Sequence, residues 1–156
     1  NPIHLVVTLM CYYPFGVYAA TFLYSPFNVM GQTDLISYSE IFKNFLEIIS
    51  LVFLFCYVIC GTSLGFSCSN LSYKKIQTKG FYKMVRHPAT FFKLLYFFVT
   101  IFSHKSAYQF NILFPYFIWT GVYFLRTVVE ERFLRQFADY QAYMNQTKYR
   151  IIPWIY

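Results

Sequence analysis

Residues 41–66 read IFKNFLEIISLVFLFCYVICGTSLGF, and their centre, Ile48 to Ile59, carries no charge. About 20 largely apolar residues suffice to carry a helix across the hydrocarbon core of a bilayer. This run reaches that length, so the chain is expected to be an integral membrane protein. Three further apolar runs extend the pattern. One covers Ile3 to Tyr24, free of charge but interrupted by Pro14 and Gly16. Another covers Pro88 to Ser103, short unless Lys93 snorkels to the interface, and the last covers Tyr108 to Val129. The short connection His104-Lys105-Ser106 predicts an antiparallel hairpin between the last two.

Composition agrees. The chain has 156 residues, 58% hydrophobic and 12% charged, with 20 Phe and 16 Tyr. A soluble domain carries about twice that share of charge, and here it would expose apolar surface that invites aggregation. One domain is expected, since the length leaves no room for a second large core. The fold class expected is all-α, a membrane helical bundle of about four transmembrane helices followed by a C-terminal amphipathic cytosolic helix.

The net charge of +7 would suggest nucleic acid in a soluble protein. Here the basic residues lie between apolar runs and suit an anionic cytoplasmic leaflet. Lys74, Lys75, Lys79, Lys83, Arg86 and Lys93 form one group; Arg126, Arg132, Arg135, Lys148 and Arg150 form another. With four spans these eleven of the thirteen cations fall on one side, leaving Lys43 and Lys105 on the other. The 74–93 loop and the C-terminal part are therefore expected in the cytosol. Cys11, Cys56, Cys60 and Cys68 form no CxxC pair and have no His at metal-ligand spacing, so they read as small apolar residues and no metal is expected.

Glu130 to Gln146, EERFLRQFADYQAYMNQ, sets Phe133, Leu134, Phe137, Tyr140 and Tyr143 at helical spacing between charges. One amphipathic helix leaving the membrane surface is expected there.

Two polar clusters could carry chemistry. The first is TKGFYKMVRHP, residues 78–88. Gly80 marks a turn and Pro88 suits the first helical position. Arg86 and His87 then stand at a helix start, where free N–H groups and the helix dipole favour a carboxylate. The plainer alternative is a basic loop anchored to lipid. The second is RTVVEER, residues 126–132. Arg126 and Glu130 are four apart and share a face, and two carboxylates at a membrane rim are costly. Their plainer alternative is a solvated helix end.

The string GFYKMVRHP, then a hairpin, EERFLRQFADYQAY and RIIP, resembles the isoprenylcysteine carboxyl methyltransferase and phospholipid methyltransferase family over residues 74–156. That resemblance implies transfer of a methyl group from S-adenosylmethionine to a lipid-borne acceptor at the membrane, with 1–73 as N-terminal spans and 74–156 as the catalytic core. It implies cofactor contacts from Lys74, Lys75, Ile76, Gln77, Tyr82, His87, Pro88, Ala89, Thr90, Glu130, Tyr140 and Tyr143. Arg126 would hold the substrate and act with Glu130 in catalysis. Arg150 and Pro153 match the tail that closes over the cofactor. The chain departs from the family with Thr90 where Tyr is frequent and Phe92 where Gly is frequent. Two other readings stay open. The ending YRIIPWIY also resembles the tail of NADPH-dependent membrane sterol reductases, and a non-catalytic membrane subunit would need only the basic loop.

Overall fold

A computed structural model describes residue 6 and residues 39–64, 76–104 and 110–155. The described residues are all-helical, with four helices and no strand: α1 (Glu40–Leu64), α2 (Pro88–Phe102), α3 (Phe110–Leu134) and α4 (Ala138–Gln146), plus a 3-10 turn at Gly80–Lys83. The apolar run at 3–24, Cys11 and Cys68 lie outside the described residues.

Helix α1 coincides with the run that opens the sequence reading. Among the described residues it is the one helix long and apolar enough to cross a membrane. At about 1.5 Å per residue its 25 residues reach past the roughly 30 Å of hydrocarbon. Ile41, Phe45, Ile48, Val52 and Phe55 are exposed along it, as lipid-facing side chains would be. Its Ser and Thr hydroxyls bond back to their own helix. Thr62 and Ser63 both donate to the Ile59 carbonyl, at 3.1 and 2.7 Å, and Ser50 donates to the Glu47 carbonyl at 2.8 Å. Such bonds satisfy donors that lipid could not. Helix α2 has 15 residues, about 22 Å, shorter than a bilayer core.

The start of α2 follows the sequence. Pro88 is its first residue, and the Phe91 N–H donates to the His87 carbonyl at 3.1 Å. Proline loses nothing there, since the first N–H groups of a helix have no internal acceptor. Gly80 takes φ +63°, a conformation that glycine adopts without penalty.

Helix α3 runs past the end of the apolar run and carries Glu130 and Glu131 inside it. The single helix expected over 130–146 is instead two. The Gln136 and Phe137 amides bond three residues back, at 3.3 and 3.0 Å, tightening the last turn of α3. Phe137 is extended and starts α4. No Gly or Pro stands at this break. The Gln141 side chain donates to the Arg135 carbonyl at 2.8 Å, occupying an acceptor that the end of α3 leaves open.

The chain divides into two compact units. Of the described residues, one holds 39–50, 97–104 and 110–126, the other 51–64, 76–96 and 127–155. In the first, Ile101 and Tyr116 are buried with Phe97 and Phe102 packed against them. The Phe102 and Tyr116 rings meet edge to face at 5.6 Å. In the second, the buried apolar residues include Cys60, Tyr82, Val85, Val129, Tyr140, Tyr143 and Ile151. Lys93 lies with its ammonium 5.7 Å from the centroid of the Tyr57 ring, a cation–π contact.

Two tyrosines tie the second unit together. Tyr82 donates its hydroxyl to the Cys60 carbonyl of α1 at 3.1 Å. Tyr143 of α4 donates to the Tyr82 carbonyl at 2.6 Å, and Thr147 Oγ1 reaches the same oxygen at 3.4 Å. Tyr143→Phe removes the shorter bond inside a buried region. It is expected to cost about 1–2 kcal/mol, a fall of roughly 2–8 °C in the melting temperature. A thermal melt of the purified variant checks this, and an unchanged midpoint would show that the bond contributes nothing net.

Candidate functional site

The second unit buries one carboxylate, and its neighbours define the site. Glu131 lies on α3 with its side chain 1% exposed. Arg86 Nε donates to Glu131 Oε1 at 2.7 Å, and Nη2 reaches Oε2 at 3.4 Å. Arg150 Nη2 lies 2.9 Å from Oε2, and Arg135, just past the end of α3, lies 3.7 Å from the same oxygen. A planar guanidinium presents a fork that matches both carboxylate oxygens, which a lysine cannot do.

Arg86 does more than neutralise. Its Nη1 donates to the carbonyls of Thr147 and Lys148, both at 2.7 Å. The main chain repeats the connection: the Arg86 N–H donates to the Tyr149 carbonyl at 3.0 Å and the His87 N–H to the Arg150 carbonyl at 2.9 Å. The segment that starts α2 and the segment after α4 are thus fastened together, with Glu131 beneath them.

His87 occupies the space between the two acidic residues of α3. Nδ1 lies 4.0 Å from Glu130 Oε2, and Nε2 lies 3.4 Å from Glu131 Oε1. Nε2 is buried and has no aligned hydrogen-bond partner. The His87 side chain is 10% exposed, whereas that of Glu130 is 28% exposed and reaches solvent.

Burial alone would raise the Glu131 carboxyl. The close approach of His87 and the bonds from Arg86 and Arg150 together outweigh it, holding the group well below the ordinary carboxylate range. The Tyr140 hydroxyl moves the other way, pushed up by burial and by the Glu131 charge. Burial pushes the Tyr143 hydroxyl up too.

No model of a known protein family, no curated protein and no solved structure matches this chain.

Of the residues singled out from sequence, His87, Pro88 and Glu130 stand together at the start of α2 and the end of α3. Pro88 is buried, and Ala89 and Thr90 are half-buried in the first turn of α2. Tyr82, Tyr140 and Tyr143 are buried in the same unit, Tyr82 and Tyr143 with their hydroxyls bonded to protein carbonyls. Ile76 and Gln77 are half-buried just before the 3-10 turn, while Lys74 and Lys75 lie outside the described residues. Arg126 is half-buried, one turn before Glu130 on α3.

Sequence reasoning chose the Arg126–Glu130 face of α3. The face that the fold buries is the next one round, where Thr127 and Glu131 are also four apart and both fully buried. Arg86 and Glu131 were visible as motif residues, but not as partners. The signal available was the presence of one arginine in each of two basic segments with no acid of their own, 76–87 and 147–155.

Two measurements follow. Glu131→Ala and Arg86→Ala each leave a buried charge short of its partner, and each is expected to cost about 3–5 kcal/mol. The double variant should cost far less than the sum, and simple additivity in a double-mutant cycle would show that the pair is uncoupled. The second concerns pH. A carboxyl held low in the folded state contributes stability that is complete above the ordinary value of 4.5 and is lost as pH falls below it. Acid unfolding of the wild type is therefore expected to steepen below about pH 4.5, and Glu131→Gln should flatten that dependence. Parallel curves would place the acid sensitivity in another group.

Proposed function

We propose that the second unit is the cofactor-binding part of a membrane methyltransferase acting on a lipid-borne acceptor. The observation that carries this reading is the 4.0 Å approach of His87 Nδ1 to Glu130 Oε2 at the start of α2. An imidazole braced through Nε2 against buried Glu131, a solvent-reached carboxylate and the first amides of a helix N-terminus would make a small zwitterion-binding edge.

S-adenosylmethionine fits that edge by charge. Its amino-acid end carries a carboxylate, which the first turn of α2 at Ala89 and Thr90 would receive, and an ammonium, which Glu130 would receive. Bound there, it supplies a methyl group on a sulfonium, already a good leaving group. The chain's own part is to align the acceptor and keep water out. Glu131 with Arg86 and Arg150 holds the α2 start against the C-terminal segment, so the edge is preorganised. Arg126 would face the anionic group of the acceptor, and buried Tyr82, Tyr140 and Tyr143 would back the edge. A bundle of about four spans, with this edge toward the cytosol, completes the proposal. It is supported by α1, by the apolar runs and by the side on which the cations gather.

Radiolabelled S-adenosylmethionine is expected to bind the purified chain. Glu130→Ala should weaken binding at least tenfold, about 1.4 kcal/mol, with little loss of thermal stability, because Glu130 lies outside the buried network. His87→Ala should weaken binding as well. Binding of NADPH in its place would move the protein to reductase chemistry, and binding of neither would leave a non-catalytic membrane subunit.

A further inference from the structure

The second unit ends in a feature that the cofactor edge does not use. Trp154 and Ile155 are consecutive, apolar and 78% and 79% exposed. Trp154 takes φ +64°, a left-handed conformation that bulky residues seldom adopt. A tight turn holds it there, with Pro153 before it and the Ile155 N–H bonded to the Ile152 carbonyl at 3.3 Å. In water this arrangement spends backbone strain to expose an indole and a branched aliphatic chain, which nothing in an aqueous setting rewards.

The charges nearby name a surface that would. Segments 76–87 and 147–155 contain five cations and no acid. Arg86 and Arg150 serve Glu131. Lys79, Lys83 and Lys148 are all exposed, and so is Met84. The two segments are fastened together by the Arg86–Tyr149 and His87–Arg150 main-chain bonds and by Thr147 at the Tyr82 carbonyl. Lys83 and Lys148 each adjoin one partner of that last contact. The solvent-reached carboxylates of this unit, Glu130 and Asp139, belong to α3 and α4 instead. Tryptophan favours the headgroup level of a bilayer, and lysines favour an anionic leaflet.

We propose that Trp154 and Ile155 are an interfacial anchor, seated at the headgroup level of an anionic lipid surface and held there by Lys79, Lys83 and Lys148. A second copy of the chain or another protein would ask for acidic or apolar surface in a fixed shape. A bilayer asks only for an indole, an aliphatic tip and loose positive charge, which is what these segments offer. The proposal stands independently of methyl transfer.

The test uses the full chain reconstituted in phosphatidylcholine vesicles, with or without phosphatidylserine. Comparing wild type with Trp154→Phe isolates the emission of Trp154, one of two tryptophans, at an exposed position where the substitution spares the fold. With phosphatidylserine present, that emission should shift to the blue, be quenched by lipids brominated near the ester groups, and resist aqueous iodide. Each of Lys79→Ala, Lys83→Ala and Lys148→Ala should lower the docked-to-free ratio about fivefold. Full iodide quenching in both compositions would overturn the proposal, as would equal lipid quenching in both. Shielding from both quenchers would mean that protein covers the tip, which also overturns it. Retention of this anchoring in a chain that binds no S-adenosylmethionine would sink the methyltransferase reading alone.

Discussion

A buried carboxylate must be neutralised where it lies, and in this chain that requirement organises a whole unit. Moving an ion of this size out of water costs several kcal/mol even after relaxation. Glu131 recovers that cost only if guanidinium groups reach it from outside its own helix. Arg86 arrives from the segment before α2 and Arg150 from the segment after α4. The three elements are far apart in the chain, and the charge obliges them to meet. The same Arg86 then occupies two carbonyls of the C-terminal segment, so one side chain both neutralises the acid and fastens the tail.

For the proposed function this sets a division of labour between adjacent residues. Glu131 is consumed by structure. Glu130, one position earlier and about 100° round the helix, keeps solvent access and faces the other nitrogen of His87. A ring held between a buried and an accessible carboxylate is fixed in place without being used up. That is the kind of support a binding edge needs: its first contacts are positioned by groups that do not themselves touch the ligand.

A helix long and apolar enough to cross a membrane meets a second constraint, the hydrogen-bonding needs of polar groups in an apolar medium. In α1 the hydroxyls of Ser50, Thr62 and Ser63 bond to carbonyls of their own helix, so the helix can present apolar side chains outward with few loose donors. Where the chain leaves such a region its aromatic residues change role. Tyr82 and Tyr143 become donors that staple α1, the 3-10 turn and α4, with rings buried and hydroxyls satisfied, as interior tyrosines must be.

Much of this was legible without coordinates. Helix α1 follows from an uninterrupted apolar run, the start of α2 from Pro88, and the turn before it from Gly80, because these are local effects of burial, a missing N–H and a missing Cβ. The adjacent acids and the RHP segment marked where polar chemistry would gather, again from composition alone. Three things were decided only by the tertiary structure. The break at residues 135–137 has no local cause, since no helix breaker stands there; it lets α4 turn so that Tyr143 reaches the Tyr82 carbonyl. The choice of Glu131 over Glu130 as the buried acid depends on the rotation of α3 against its neighbours, which period alone leaves open by one residue. The pairing of Arg86 and Arg150 with that acid depends on distances through space between segments 45 and 19 positions away from it, and no pattern along a single chain encodes which distant charge will be there to meet it.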